Sequence, residues 1–357
     1  MKQKRIAILC LGLALLCGAF WLGWKLHPAT VSNKAVTADA AVSNKTSADE
    51  TAASTGTGPT NVYAHNLMLR KGPSFRVYVR WLRGQLVRAR RNEVPSFDDS
   101  DSFFLEIHDG VLRANIGDIG NFLNSGGLGN SPLKNVRLWG DGSQVNIKGT
   151  FHKVVPLPVQ ITGELAATSD NRIRLHVQKI DVLKIPFKWL LKTLQVGVGD
   201  LVGSNNIPGV EVSGNDLLFN TAALLPPPHI RGHLTAVRIV NPDLEEVYGN
   251  AQTDVERVEK WRNFLRLKGG SLDFGKLTMH DVDLTMIDIS NDAWFDLDLA
   301  HYQDQLVNGY THMTPQAGLQ IFMPDFRNIQ MNADTKAIGL EWMKDRYAPV
   351  PRNVTRP

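Results

Sequence analysis

Ile173-Arg174-Leu175-His176-Val177-Gln178-Lys179-Ile180 is the stretch whose reading decides the fold. Ile173, Leu175 and Val177 alternate with Arg174, His176 and Gln178. Successive side chains of a strand point to opposite faces, so this strand has one buried face and one wet face. Such one-sided burial is the habit of antiparallel sheet, because parallel strands are covered on both sides. Residues 159–165 repeat the alternation. Upstream, residues 136–139 and 145–151 form a pair joined through Asp141-Gly142. Residues 103–108 and 111–116 flank Asp109-Gly110, a composition that predicts a hairpin turn. Downstream, residues 210–213 and 216–220 predict one more hairpin.

Helical spacing interrupts these strands twice. Ile116, Ile119, Phe122 and Leu123 share a face, and Gly126-Gly127 ends the run. Pro186 opens a longer helix at a position that tolerates proline. Its stripe is Phe187, Leu190, Leu191, Leu194, Val198 and Leu201, opposed by Lys188, Lys192 and Gln195. Leu224-Leu225-Pro226-Pro227-Pro228 is stiff punctuation and marks a boundary. Beyond it, residues 229–240, 269–289, 295–299 and 318–322 read as strands, and 254–267 and 302–310 as helices.

The N-terminus has a different character. Lys2, Lys4 and Arg5 precede an unbroken apolar run over residues 6–24. Crossing a bilayer takes about 20 such residues, whereas a cleaved secretory core has about 7–15. A retained anchor is therefore favoured over cleavage before Phe20, with the cationic end inside. This places the body outside the cytoplasm, tethered by a single pass. Residues 28–60 contain no aromatic residue and are rich in Ala, Ser and Thr. They cannot bury enough apolar area to offset their ordering entropy and are expected to be a disordered linker. The expected organisation is thus an anchor at 1–27, the linker at 28–60, a β/α domain at 61–228, a second β-rich domain or sheet continuation at 229–345, and a disordered tail at 346–357. The fold class is α+β, with curved antiparallel sheet wrapped around amphipathic helices.

The two cysteines, Cys10 and Cys17, both lie in the apolar run. The body therefore has no disulfide, no thiolate nucleophile and no cysteine-ligated metal. A formal charge of +4 over 357 residues implies no strongly acidic or basic partner for the whole chain. Charge is concentrated locally instead. Residues 70–91 hold Arg70, Lys71, Arg76, Arg80, Arg83, Arg88, Arg90 and Arg91 and no acid. Phe75, Val79, Leu82 and Leu86 fall at helical spacing, which predicts an amphipathic helix over residues 74–91. One reading packs that helix on the body with its basic face in solvent. A second lays it on anionic lipid, with Trp81 among the headgroups and Arg76, Arg80, Arg83, Arg88, Arg90 and Arg91 as the membrane-surface set. A nucleic-acid reading requires a cytoplasmic body and has no accompanying motif.

Motifs for catalysis do not assemble. Asp273-Phe274-Gly275 spells a kinase tripeptide without its glycine-rich loop or catalytic loop. His229 and His233 have the spacing of two helical metal ligands, but Pro226–Pro228 and Gly232 oppose a helix there. Asp281, Asp283 and Asp288 form no distinguished carboxylate pair. No metal or cofactor is expected.

The order of elements over about residues 103–228 resembles bacterial lipid-binding modules of the tubular lipid-binding type, as in LmeA-like periplasmic proteins. The residues that carry the likeness are Pro156-Leu-Pro-Val-Gln-Ile-Thr-Gly163, Val182-Leu-Lys-Ile-Pro186 with its helix, and Pro208-Gly-Val-Glu-Val-Ser-Gly-Asn-Asp-Leu-Leu-Phe-Asn220. Leu272-Asp-Phe-Gly-Lys-Leu-Thr-Met279 has a looser likeness to AsmA-like envelope proteins. The resemblance implies a curved sheet around a helix, acyl chains of a membrane lipid in the groove, no catalysis, and, with the single-pass anchor, a body in the periplasm tethered to a bacterial inner membrane. Phe122, Phe187, Leu190, Leu191, Leu194 and Val198 are the groove candidates, since an acyl chain needs a continuous apolar trough. The alternatives are a non-catalytic envelope scaffold, whose protein partner the sequence does not identify, and an envelope-polymer hydrolase.

Overall fold

The computed structural model describes residues 58–71, 75–127, 131–152, 155–182, 197–202, 207–250, 260–330 and 354–355. The expected anchor, nearly all of the linker, and Phe187, Leu190, Leu191 and Leu194 lie outside the described residues. Among the described residues no helix is long and apolar enough to cross a membrane. The described part is mostly β, with curved, open sheets and short helices.

β1 (Thr60–Arg70), β2 (Arg76–Arg88) and β3 (Phe103–Asn115) form an antiparallel meander. The helix Ile116–Phe122 follows at once, capped by the Asn115 side chain, which accepts from the Gly117 and Asp118 amides. β4 (Leu133–Asp141), β5 (Gln144–His152), β6 (Pro156–Ala167) and β7 (Ile173–Val182) then run antiparallel, as their alternation predicts. A one-turn helix, Val198–Val202, precedes β8 (Val210–Ser213) and β9 (Asp216–Phe219). These six strands make one sheet in the order β4-β5-β6-β7-β9-β8.

After the short helix Thr221–Leu224, the chain returns to the first sheet. β10 (His229–Gly232) joins β3 in parallel, and β11 (Leu234–Val240) and β12 (Asp243–Tyr248) extend that edge. β13 (Phe264–Lys268) pairs with the opposite side of β1. β14 (Ser271–Phe274) and β15 (Leu277–His280) form a separate hairpin. β16 (Asp283–Asp288), β17 (Phe295–Asp298), β18 (Tyr310–Met313) and β19 (Leu319–Met323) complete the large sheet. Its order is β11-β12-β3-β2-β1-β13-β16-β19-β18, with β10 on β3 and β17 on β1 off that path. The proline-rich stretch at 224–228 therefore does not separate two sheets. Residues 60–115 and 229–323 share one, and residues 133–219 are inserted as another.

Several expectations are corrected. Residues 76–88 are a strand, not part of a helix. The register of β2 on β3 shifts between Val79 and Trp81, so Arg80 is an extra residue. Val77 and Val79 before it, and Leu82 and Leu86 after it, are buried. One inserted residue turns intervals of two into an interval of three, which mimics a helical stripe. Asp109-Gly110 is no turn, because β3 runs through it. A Cβ on Gly110 would sit 2.9 Å from the Trp81 carbonyl oxygen, so the glycine permits close strand approach. Residues 264–268, expected to end a helix, are β13, and residues 251–259 lie outside the described residues. The alternating run 269–289 is three strands, with left-handed backbone at Gly275 and Asp281 where the chain turns. The helix expected over 302–310 stops at Val307. In the expected tail, Val354 is 1% exposed and Thr355 bridges to Trp261.

The core has three parts. Leu67, Leu69, Leu112, Leu284 and Met286 belong to the inner face of the large sheet. Val159, Ile161, Leu175 and Val177 of the inserted sheet pack with Val198 and Leu201. Phe264, Ile287 and Phe322, at alternate positions and hence on the outer face, are covered by Trp261 and Val354. Where the sheets meet, a Cβ on Gly140 of β4 would fall 2.5 Å from Ile239 of β11. A larger residue there would have to displace the Ile239 and Asn241 side chains.

Candidate functional site: a cavity between the sheets

β12 alternates in a way that places a carboxylate among apolar neighbours. Leu244, Glu246 and Tyr248 point to one face, and Glu245 to the other. Glu245 is fully compensated: Arg113 Nε and Arg238 Nε each donate to it over 2.7 Å. Burial opposes its ionisation, but those two guanidinium groups hold its carboxyl below the ordinary range.

Glu246 faces a cavity of about 140 Å³ between the two sheets. Phe75, Ala114 and Leu244 line it from the large sheet, Ile116 and Ile119 from the capped helix, and Leu138, Ile147, Leu165, Ile173 and Phe219 from the inserted sheet. Thr221, Leu224 and Leu225 close one side. Among the described lining residues, Glu246 carries the one ionisable group. It keeps partial exposure while protein surrounds it, and that burial pushes its pKa up. The Tyr248 hydroxyl, donating to Oε2 over 2.7 Å, and the Lys71 ammonium work the other way. Among the described residues its other oxygen, Oε1, has no hydrogen-bond donor. Tyr248 is itself 3% exposed, and burial beside Glu246 raises its pKa well above the ordinary tyrosine value.

Lys71 follows β1 and is 2% exposed. Its Nζ donates to the Pro228 carbonyl over 2.8 Å. Desolvation lowers its pKa to about 8, with the Glu246 charge opposing. The Lys71 charge and the Glu246 carboxyl thus each favour the other's charged form against the desolvation that opposes it.

A larger polar cleft of about 550 Å³ adjoins. Thr221 lines both spaces, and Tyr248 lines the cleft while bonding to Glu246 of the cavity. The cleft's cations already have partners: Arg231 Nη2 lies 2.8 Å from Glu106, and Arg172 Nε 2.6 Å from Asp170. His233 Nδ1 lies 3.0 Å from Asn171 Oδ1.

The residues singled out in the sequence are mostly elsewhere. Phe122 is half-buried, its ring 5.6 Å from that of the cavity-lining Phe75. Val198 is buried in the inserted sheet's own core. Arg76, Arg80 and Arg83 are exposed on the outer face of β2, and Arg88 is half-buried. Arg76 pairs with Asp118 at 3.0 Å and Arg83 with Asp109 at 2.7 Å. Arg90 and Arg91 lie beyond the strand, exposed, with Arg90 on Glu93 at 2.6 Å. Trp81 is 5% exposed, so it does not present its ring at the surface. Lys71 enters the sequence reading only as part of the basic run, and Glu246 and Tyr248 do not enter it. The signal that reveals those two is Leu244-x-Glu246-x-Tyr248, a strand alternation with an acid on its apolar side.

A second group of buried acids lies by β16 and β17. Arg70 grips Asp296 through two hydrogen bonds of 2.7 and 2.6 Å. The Asp296 amide donates to Asp325 Oδ1 over 2.8 Å. Asp325 is 0% exposed, and burial, with Asp288 nearby, raises its pKa to about 7 against the pull of that amide. Arg327 lies 3.4 Å from Asp325 and also bonds Asp292. Asn263 Nδ2 donates to Asp288 over 3.0 Å. Among the described residues no group of three or more His, Cys, Asp or Glu is arranged to hold a metal ion.

In comparisons with protein-family models, curated proteins and solved structures, nothing matches this chain.

Proposed function

We propose that this chain is a membrane-tethered, extracytoplasmic protein that binds an amphiphile, taking an apolar end of it into the space between the two sheets. The observation that supports this reading is the apolar cavity with one carboxyl at its edge, next to a polar cleft. An engineered apolar cavity of about 150 Å³ stays dry and binds benzene, so the cavity here has room for one group of that size. The cleft, at about 550 Å³, falls within the range of about 300–1,000 Å³ found for ligand pockets. The apolar end enters the cavity and the polar remainder lies in the cleft. A whole acyl chain does not fit the cavity, so the bound portion is an end or a short chain. In this reading residues 6–24 supply the tether.

The test is direct. Full-length protein purified without added detergent lipid, then extracted and analysed by mass spectrometry, should release a stoichiometric amphiphile. Ala114→Phe, which places a ring in the cavity, should lose that amphiphile and keep its β circular-dichroism signal. Equal recovery from the filled variant would overturn the reading.

A second reading, an envelope scaffold, draws on β18. Among the described residues this strand pairs only with β19, and Met313 on it is 67% exposed. An unpaired strand edge is a template for strand addition. A stoichiometric protein crosslinked to residues 310–313, with no bound amphiphile, would favour that reading instead.

A further inference from the structure

We propose that an outer cleft, on the face of the large sheet opposite the cavity, binds the pyranose ring of an uncharged sugar. The faces are set by β12, where Asp243 and Glu245 alternate with Leu244 and Glu246. The proposal therefore does not rest on the amphiphile reading. Strand register builds the floor of this cleft. Met68 of β1 pairs with Tyr78 of β2, Tyr78 with Arg113 of β3, and Arg113 with Glu245 of β12. Directly paired residues share a face, so these four form one row across adjacent strands. Trp294, just before β17, brings its ring to 6.0 Å from that of Tyr78, at an angle of 63°. The cleft measures about 430 Å³, within the range of about 300–1,000 Å³ found for ligand pockets.

Its side chains are held in place by one another. The Tyr78 hydroxyl donates to Asn66 over 2.9 Å, Arg113 Nε to Glu245 over 2.7 Å, and Arg76 Nε to Asp118 over 3.0 Å. Asn115 Nδ2 donates to Asp243 over 3.2 Å. Such fixing lowers the ordering cost of binding. Arg113 and Asp243 line the cleft, and each has more bonding atoms than these partners use. The half-buried rings of Tyr78 and Trp294 thus offer apolar surface beside fixed donors and acceptors. A sugar ring answers both. Its C–H groups suit the electron-rich face of an aromatic ring, and each of its hydroxyls donates and accepts. A flat base would stack on one ring only, since the two rings meet at 63° and not in parallel. Charge decides the rest. Arg76 and Arg113 are matched by Asp118 and Asp243 among the lining residues, and Glu245 beside Arg113 is itself paired with Arg238. Such a balanced set favours neither an anion nor a cation.

Full-length protein labelled with 5-fluorotryptophan, kept free of sugar-headed detergent, gives the readout by fluorine NMR, with Trp294→Phe identifying the Trp294 resonance. Glucose, galactose, mannose and N-acetylglucosamine, each also as its methyl glycoside, are titrated beside adenosine, glucuronate and tetramethylammonium. At least one neutral sugar should shift the Trp294 resonance to saturation. A methyl glycoside that binds as well as the free sugar assigns the end of a glycan, and binding of the free sugar alone assigns a free sugar. By saturation-transfer titration, Trp294→Ala should weaken that sugar about tenfold, the order of one aromatic contact. Asp243→Ala should weaken it several-fold through the lost acceptor. Both variants should keep the native β circular-dichroism signal. The native protein alone is enough to overturn the proposal: no shift of the Trp294 resonance with any neutral sugar, or tighter binding of adenosine, glucuronate or tetramethylammonium than of every neutral sugar.

Discussion

Glu246 and Asp325 are both carboxyls whose protein surroundings raise their pKa values, Asp325 fully enclosed and Glu246 keeping partial exposure. Their surroundings differ. Asp325 is enclosed by the Asp296 amide, Arg327 and Asp292, with Ser290 holding its own backbone amide. Glu246 has one hydrogen-bonded partner and faces empty apolar space. The difference teaches how to separate a polar group that builds a fold from one that awaits a ligand. The first has its bonding capacity met within the protein, and the second has capacity to spare.

The largest effect that tests the contrast is Asp325→Ala. It strands the buried Asp296 amide and removes one of the two carboxylates on Arg327, and should cost about 3 kcal/mol in urea denaturation. A loss under about 1 kcal/mol would remove the structural half of the comparison. Next comes pH. In the unfolded chain Asp325 titrates near the usual aspartate value of about 3.9, against about 7 when folded. Between those values the folded state keeps a proton that the unfolded state has lost. Stability from this group therefore falls as pH rises from about 4 to about 7, and is level above that. Asp325→Asn should remove that portion of the slope, and an unchanged slope would assign it elsewhere. The filled variant Ala114→Phe should change stability by about 1 kcal/mol, because the ring enters space that is already open. The smallest effect belongs to Glu246→Gln, expected within about 1 kcal/mol when no ligand is present. If Glu246→Gln destabilises as strongly as Asp325→Ala, then Glu246 is structural and the two sites are alike.

The inserted sheet was legible because its strands pair with near neighbours and each keeps one wet face. Residues 145–151, 159–165 and 173–180 all show it. The large sheet was harder. β1 pairs with β13 and β17, about two hundred residues away, and no local pattern encodes such partners. β2 was read as a helix because the bulge at Arg80 breaks its period of two. Its Val77, Tyr78, Val79 and Trp81 are the β-branched and aromatic residues that favour strands, and that composition outweighs the spacing. Gly110 was read as a turn because turn glycines and close-packing glycines look the same in sequence. As for the cavity, Phe122 came close to it and Val198 belongs to a different core. Its polar end was missed because Lys71, just after β1, and Glu246 and Tyr248, both on β12, are brought together by a sheet whose pairing the sequence does not display.

The insertion of residues 133–219 into the large sheet fixes the order in which the chain can mature. Every strand partner of the inserted sheet is available once residue 219 has left the ribosome. β1, by contrast, stays one-sided until residues 264–268 and 295–298 arrive. Synthesis therefore leaves the apolar edge of the N-terminal meander waiting while the middle of the protein closes, an interval in which a chaperone or a neighbouring chain has access to it. Pulsed hydrogen exchange on stalled nascent chains should find the amides of β5 and β6 protected well before those that β1 donates to β13.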